Sequence, residues 1–190
     1  LTVDSITGGN RERDLRNGFS IPFRLTLSGM LQFAFKPMWG INYVTHESFK
    51  LPQLDDHVEM SGGALSIGRY FTEMLEPSMN WDDVAEMVKL WDGQFCLKGV
   101  MSVEDVKKAI DIGCTGVVLS NHGGRQLDGS RSPFDHLAEV VDAVGDKIDI
   151  ILDSGVQRGT HVLKALSLGA KAVSGGRFYL FPLAAAGQPG

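Results

Sequence analysis

The chain has 190 residues, 43% of them hydrophobic and 22% charged, which excludes the collagen-like, disordered and disulfide-stapled classes. Eighteen basic residues against 23 acidic ones leave a net charge of -5, the wrong sign for a dedicated nucleic-acid binder. No apolar stretch is long enough to span a bilayer. Cys96 and Cys114 lie in or beside apolar runs, as buried reduced thiols of a cytoplasmic protein do.

Residues 1–4 (Leu-Thr-Val-Asp) read as a strand that is already under way at the first residue, and the last residues read as a helix end. The expectation is a fragment cut at both ends. A long connection follows, from Asp14 to about Asn80. Its stretch 18–50 carries Phe19, Phe23, Phe33, Phe35, Trp39, Tyr43 and Phe49, with Arg24, Lys36 and Lys50 against Glu47 alone. Such a segment suits the headgroup region of a membrane, or a lid or subunit contact over a barrel mouth. Residues 51–79 read as loop with short helix.

From residue 80 the pattern is regular. Asn80 caps a helix with Val84, Met87, Val88 and Trp91 on one face. A buried strand follows at 95–100. Ser102 opens a helix with Val103, Val106 and Ile110 inward and Gly113 at its end. A strand at 116–120 precedes a helix marked by Leu137, Val140, Val141 and Val144. The strand at 148–153 leads to a helix over Val162, Ala165 and Leu166 that ends at Gly169, and 170–174 is the last strand.

Strands rich in Val, Ile and Leu that alternate with helices imply an α/β fold with a parallel sheet. Five strands in this length fit the later part of a (β/α)8 TIM barrel, about strands 4 to 8, with a long loop after strand 4. An open doubly wound sheet is the alternative. It requires a Gly-rich phosphate turn after the first strand, and Gly8-Gly9-Asn10-Arg11 does not match that fingerprint.

Barrels of this kind gather functional groups where strands end. Here the strands end in Asp4, in Lys98, in the run 120–125 (Ser-Asn-His-Gly-Gly-Arg), in Asp153-Ser154-Gly155 and in Gly175-Gly176-Arg177. Gly155 and the Gly175-Gly176 pair follow the last two strands, where backbone N–H groups approach an anion closely and Arg158 or Arg177 adds a fork of donors. Plain strand-to-helix turns are the other reading. His122 is suited to taking a proton, and Arg125, three residues on, to gripping a carboxylate. His46, His57, His136 and His161 read as structural or solvent-exposed, the last two on helices away from the mouth. Lys98 ends a buried strand and needs a carboxylate or a ligand acceptor; a Schiff-base lysine is the competing chemistry. Asp4 and Asp153 read either as a histidine orienter and a ligand contact or as helix N-caps. No His/Cys/carboxylate spacing resembles a metal-ligand set.

Taken together, the segments 1–4, 11–17 (Arg-Glu-Arg-Asp-Leu-Arg-Asn), 97–100 (Leu-Lys-Gly-Val), 120–128, 153–160 and 164–170 resemble the FMN-dependent L-2-hydroxy acid dehydrogenases and oxidases. That family includes L-lactate and mandelate dehydrogenases, glycolate oxidase and flavocytochrome b2. The run 120–126 (Ser-Asn-His-Gly-Gly-Arg-Gln) is its most specific mark. The run 153–155 is shared more widely among FMN-binding barrels.

The resemblance implies FMN as cofactor and an L-2-hydroxy acid, above all L-lactate, as substrate. Electrons then pass to a cytochrome or quinone, or else to oxygen. It implies His122 as catalytic base, Asp4 as its charge partner, Arg125 as the carboxylate clamp and Arg11 as a second substrate arginine. Lys98 stands for the lysine beside the flavin. Thr2 and Ser120 stand for flavin contacts and Asp153 for the ribityl contact, with Gly155, Gly176 and Arg177 around the phosphate. Position 157, usually arginine in the family, is Gln157 here with Arg158 beside it, so reliance on Arg177 grows. The segment from Pro37 to Leu54 looks more like the membrane-associated mandelate and lactate dehydrogenases than like glycolate oxidase. A cytoplasmic enzyme, peripheral on the inner membrane through 18–50 and a homo-oligomer (tetramer) at full length, is the expectation. Alternatives are glycolate or mandelate as substrate, an isopentenyl-diphosphate-isomerase-like or nucleotide-dehydrogenase-like barrel, and a non-catalytic fragment.

Overall fold

The structure is a computed structural model and describes residues 1–6, 9–18, 26–46, 74–126 and 129–190. It divides into two compact units, one of residues 1–10 with 76–190 and one of residues 11–75.

The first unit is built on four parallel strands, β1 (Cys96–Val100), β2 (Gly116–Leu119), β3 (Asp149–Leu152) and β4 (Ala172–Val173), adjacent in that order. Helix α4 (Trp81–Trp91) precedes β1, and α5 (Val103–Asp111), α6 (Pro133–Val144) and α7 (Gly159–Ser167) make the crossovers. Helix α8 (Arg177–Ala186) follows β4. The local chemistry explains these boundaries. Asn80 Oδ1 accepts from the Asp82 N–H and Asp83 Oδ2 from the Asn80 N–H, both at 2.8 Å, a reciprocal cap for α4. Ser102 Oγ accepts the Asp105 N–H at 3.1 Å to start α5. Pro133 opens α6, where its missing N–H costs nothing.

Strand alternation then sorts the side chains. Leu97, Val117 and Ile150 share one register row, and Leu119 pairs with Leu152. All five are buried with Val106 and Ala109 of α5, Leu137, Val140 and Val144 of α6 and Ala165 of α7. The intervening row, Lys98, Val118 and Ile151, is only half-buried. Two inward assignments fail on α4: Val84 is buried and Val88 half-buried, but Met87 and Trp91 are exposed. The buried stripe is narrower than the apolar pattern, and the Trp91 indole N–H instead donates to the Gln94 carbonyl at 3.0 Å.

The expected opening strand is reduced to one parallel bridge, Thr2 to Lys98. Lys98 N–H donates to Leu1 O at 2.8 Å and Val3 N–H to Lys98 O at 2.9 Å. The ladder goes no further because β1 shifts register between Lys98 and Val100, with Gly99 at φ 99. Glycine inside a strand marks such a bulge or a close backbone approach, and here it is both. A Cβ on Gly99 would lie 2.7 Å from Asp4 Cβ and 2.9 Å from Asp4 N.

In the second unit, α1 (Glu12–Arg16), α2 (Leu27–Ala34) and α3 (Pro37–Thr45) are helices where the sequence reads as connecting loop. Thr26 caps α2, its Oγ1 accepting the Gly29 N–H at 3.1 Å. Trp39 stacks between Phe33 and Tyr43, with ring centroids 5.0 and 5.3 Å apart. Leu27, Leu31, Phe35, Met38, Ile41 and Val44 remain exposed. No helix among the described residues is long and apolar enough to cross a membrane. Phe19, Phe23, Phe49, Arg24, Glu47, Lys50, His57 and most of 51–79 lie outside the described residues.

Candidate active site

Two polar clusters form where the strands end. In one, Asp4 follows the Thr2 bridge and is admitted by the bulge at Gly99, while His122 stands in the turn after β2. His122 Nδ1 lies 3.1 and 3.3 Å from the two oxygens of Asp4. Asp4 is mostly buried and the imidazole about one-third exposed, with side-chain exposures of 12% and 34%. A proton on Nδ1 directed at the carboxylate fixes the tautomer and leaves the lone pair on Nε2. Such a pair takes up a proton and stabilises the imidazolium that results.

The second cluster centres on Ser120, whose side chain is fully buried. Its hydroxyl donates to Asp153 Oδ2 at 2.6 Å and accepts from Lys98 Nζ and from the His122 N–H, each at 3.1 Å. One donor and two lone pairs are thereby used in full. Lys98 Nζ also lies 3.5 Å from Asp153 Oδ2. Burial pushes the Asp153 carboxyl up, but the hydrogen bond from Ser120, the Lys98 ammonium, and the bonds from Ser174 and the Ser154 backbone outweigh it and hold the carboxyl below its ordinary value. Asp153 stays an anion, and Lys98 has the carboxylate partner that its position demands. Neither Asp4 nor Asp153 caps a described helix.

The remaining candidates fall around these clusters. Arg125 is half-buried in the turn that carries His122. Arg11 is the N-cap residue of α1 and belongs to the second unit. Among the described residues, nothing lies within 4 Å of where a Cβ would stand on Gly155, at φ 74, or on Gly176. Gln157 and Arg158 are exposed between β3 and α7. Arg177 does not stand apart from the turn that carries His122: its Nη2 donates to the Gly123 carbonyl at 2.6 Å. His161 is not remote either. It sits in the first turn of α7, where its Nδ1 accepts the Gln157 N–H at 3.3 Å. His46 is exposed and His136 joins Arg131 and Glu139 in a surface cluster. The Cys96 and Cys114 thiols are unpaired, and burial pushes both up, away from the reactive thiolate.

Two residues that shape the site have no role of their own in the sequence reading, although Ser154 lies in its strand-end run 153–155. Gly99 carries a detectable signal, an isolated glycine inside an apolar strand. Ser154 carries none, because nothing in its spacing announces a backbone at φ 81.

A phosphate-bearing cofactor such as FMN suits the chemistry of this donor set. Lys98 supplies a cation beside a buried hydroxyl, and Gly155 and Gly176 leave backbone bare with Arg158 and Arg177 adjacent. The comparisons agree. The family model described as FMN-dependent dehydrogenase matches residues 1–190. The (S)-mandelate dehydrogenase of Pseudomonas putida is 39% identical over 191 residues, covering 100% of this chain and 47% of that protein. The L-lactate dehydrogenase of Caulobacter vibrioides is 38% identical over 191 residues, covering 100% and 50%. A crystal structure of the monotopic membrane protein (S)-mandelate dehydrogenase superposes with a TM-score of 0.90 at 37% identity, covering 100% of this chain and 50% of the other. The chain thus spans about half the length of the relatives it matches. A match over every residue, at this identity and with this arrangement of strand ends, places the chain in the FMN-dependent dehydrogenase family.

Proposed function

We propose that this chain provides the base and much of the flavin site of an enzyme that oxidises an L-2-hydroxy acid, L-lactate first, to the 2-oxo acid. The Asp4–His122 pair carries the reading. Arg125 and Arg11 hold the substrate carboxylate, and Nε2 of His122 takes a proton that the substrate releases. Asp4 stabilises the imidazolium so formed. FMN, when bound, supplies the acceptor for the two electrons. Lys98, Thr2, Ser120 and Asp153 hold its ring and chain, and Gly155, Gln157, Arg158, Gly176 and Arg177 its phosphate. A carboxylate-binding arginine three residues from the base favours this chemistry over that of a diphosphate isomerase.

The sheet supports a (β/α)8 barrel of which residues 1–4 and these four strands form about the fourth to the eighth. Val118 and Ile151 are half-buried on the face away from the helices, whereas parallel sheets are covered on both faces. Residues 18–79 then form the long segment after the fourth strand. The exposed apolar side chains of α2 and α3, with no acidic residue in either helix, support peripheral contact with a membrane. The acceptor is then a quinone or a cytochrome.

One titration tests the reading. The flavin of the full-length protein is expected to bleach anaerobically with L-lactate, glycolate or L-mandelate, L-lactate fastest, but not with NADH. Vesicles carrying a short-chain quinone are then expected to reoxidise it faster than quinone in free solution. A flavin bleached by NADH and by none of the three acids would end the proposal.

A further inference from the structure

His122, Gly123 and Gly124 have φ of 59, 67 and 68, three successive left-handed residues. Such a turn persists only where its surroundings over-determine it. Here they do. The His122 N–H is held by Ser120 Oγ at 3.1 Å and the Gly124 N–H by Asn121 Oδ1 at 3.1 Å. The central residue is gripped from both sides: its N–H donates to Ser154 Oγ at 2.9 Å and its carbonyl accepts from Arg177 Nη2 at 2.6 Å. A Cβ on Gly123 would lie 2.5 Å from that guanidinium nitrogen.

Ser154 is the informative member of this set. It stands at φ 81, where glycine is at ease and a serine is not. A strained side chain kept where none is needed points to work done by its hydroxyl. That hydroxyl accepts from Gly123, and its proton turns to Asp153 Oδ2 at 3.4 Å. It therefore joins the end of β3 to the turn that carries the imidazole.

We propose that Ser154 is a positioning residue for His122: its hydroxyl fixes the Gly123 peptide, and through it the aim of the imidazole. The proposal rests on the reading of His122 as the base. Ser154 touches neither reacting atoms nor the imidazole. It acts on turnover through the backbone.

The test compares Ser154→Gly, Ser154→Asn and His122→Asn in the full-length, flavin-loaded protein, with whichever of the three hydroxy acids bleaches the wild-type flavin. Ser154→Gly relieves the backbone and removes the acceptor, so a merely structural serine predicts equal or greater stability and unchanged turnover. The proposal predicts flavin content and thermal midpoint as in wild type, kcat lower by roughly tenfold and KM within about twofold. Ser154→Asn, which tolerates the left-handed region and restores an acceptor, is expected to recover most of kcat. Wild-type kcat in Ser154→Gly alongside an inactive His122→Asn would overturn the positioning role and leave the base standing. Loss of flavin from Ser154→Gly would assign the serine to the cofactor pocket and overturn it as well. An active His122→Asn would remove the base reading, and the proposal with it.

Discussion

The end of β2 and the ends of β3 and β4 solve opposite problems. After β2, the protein's own side chains hold the backbone: Ser120, Asn121 and Ser154 take the N–H groups of His122, Gly124 and Gly123, and Asp4 fixes the imidazole. At Gly155 and Gly176 nothing among the described residues stands within reach of where a side chain would be. The first arrangement is preorganised for chemistry, where a group that shifts during reaction costs rate. The second leaves room for an anion to come close. Glycine serves both, but for different reasons, and substitution separates them.

The largest effect is expected where glycine admits another part of the same site. Gly99→Ala places a methyl group 2.7 Å from Asp4 Cβ at a backbone φ of 99. Strain and overpacking together are expected to cost roughly 3–5 kcal/mol of unfolding free energy, read by denaturant unfolding of the full-length protein. Because Asp4 must retreat, flavin reduction by hydroxy acid is expected to fall in step with stability. A variant that unfolds within about 1 kcal/mol of wild type would show that the bulge yields freely and that Asp4 is not held by it.

Next comes the Lys98–Asp153 pair that links the two regions. Its carboxyl is held below its ordinary value in the folded protein, so it contributes stability above the unfolded-state value and loses it as pH falls through the folded one. In Lys98→Met one of the groups holding it down is gone while burial still pushes it up. The folded-state value therefore moves back toward the unfolded one, so Lys98→Met is expected to be less stable than wild type near neutral pH and to lose less further stability on acidification, measured by unfolding between about pH 3 and 7. Superimposable acid limbs would mean that the hydrogen bonds from Ser120, Ser174 and the Ser154 backbone keep the carboxylate charged without Lys98.

The strands from 95 onward and the caps at Asn80 and Ser102 were legible in sequence because period and cap chemistry are local. So were the residues at the strand ends, since a parallel α/β pattern fixes which end of each strand gathers polar groups. What escaped is non-local. Trp91 has the spacing of a buried residue but finds no core wide enough to take it. Residues 1–4 have the composition of a strand, yet their ladder stops at a bulge in its neighbour. The Arg177–Gly123 and His161–Gln157 bonds join groups that were assigned to separate roles. Ser154 passes for a turn residue until its φ is known.

Gly155→Ala is the mildest break and the sharpest separation of the two regions. With nothing among the described residues within 4 Å, the new methyl meets none of their atoms, so folding loses only the left-handed penalty of φ 74, about 1–2 kcal/mol. If the bare backbone exists to let a phosphate approach, the cofactor feels the methyl more than the fold does. The FMN dissociation constant, followed by quenching of flavin fluorescence, is expected to rise by at least about tenfold, or about 1.4 kcal/mol. At saturating FMN, kcat should stay near wild type, because the substitution leaves the Ser154 hydroxyl and Arg177, which hold the Gly123 peptide, in place. A dissociation constant that does not move would mean that the space over Gly155 is not where the phosphate lies. A kcat that falls at full occupancy would mean that the open and the wired region are one mechanical unit, with the Ser154–Gly123 bond the route between them.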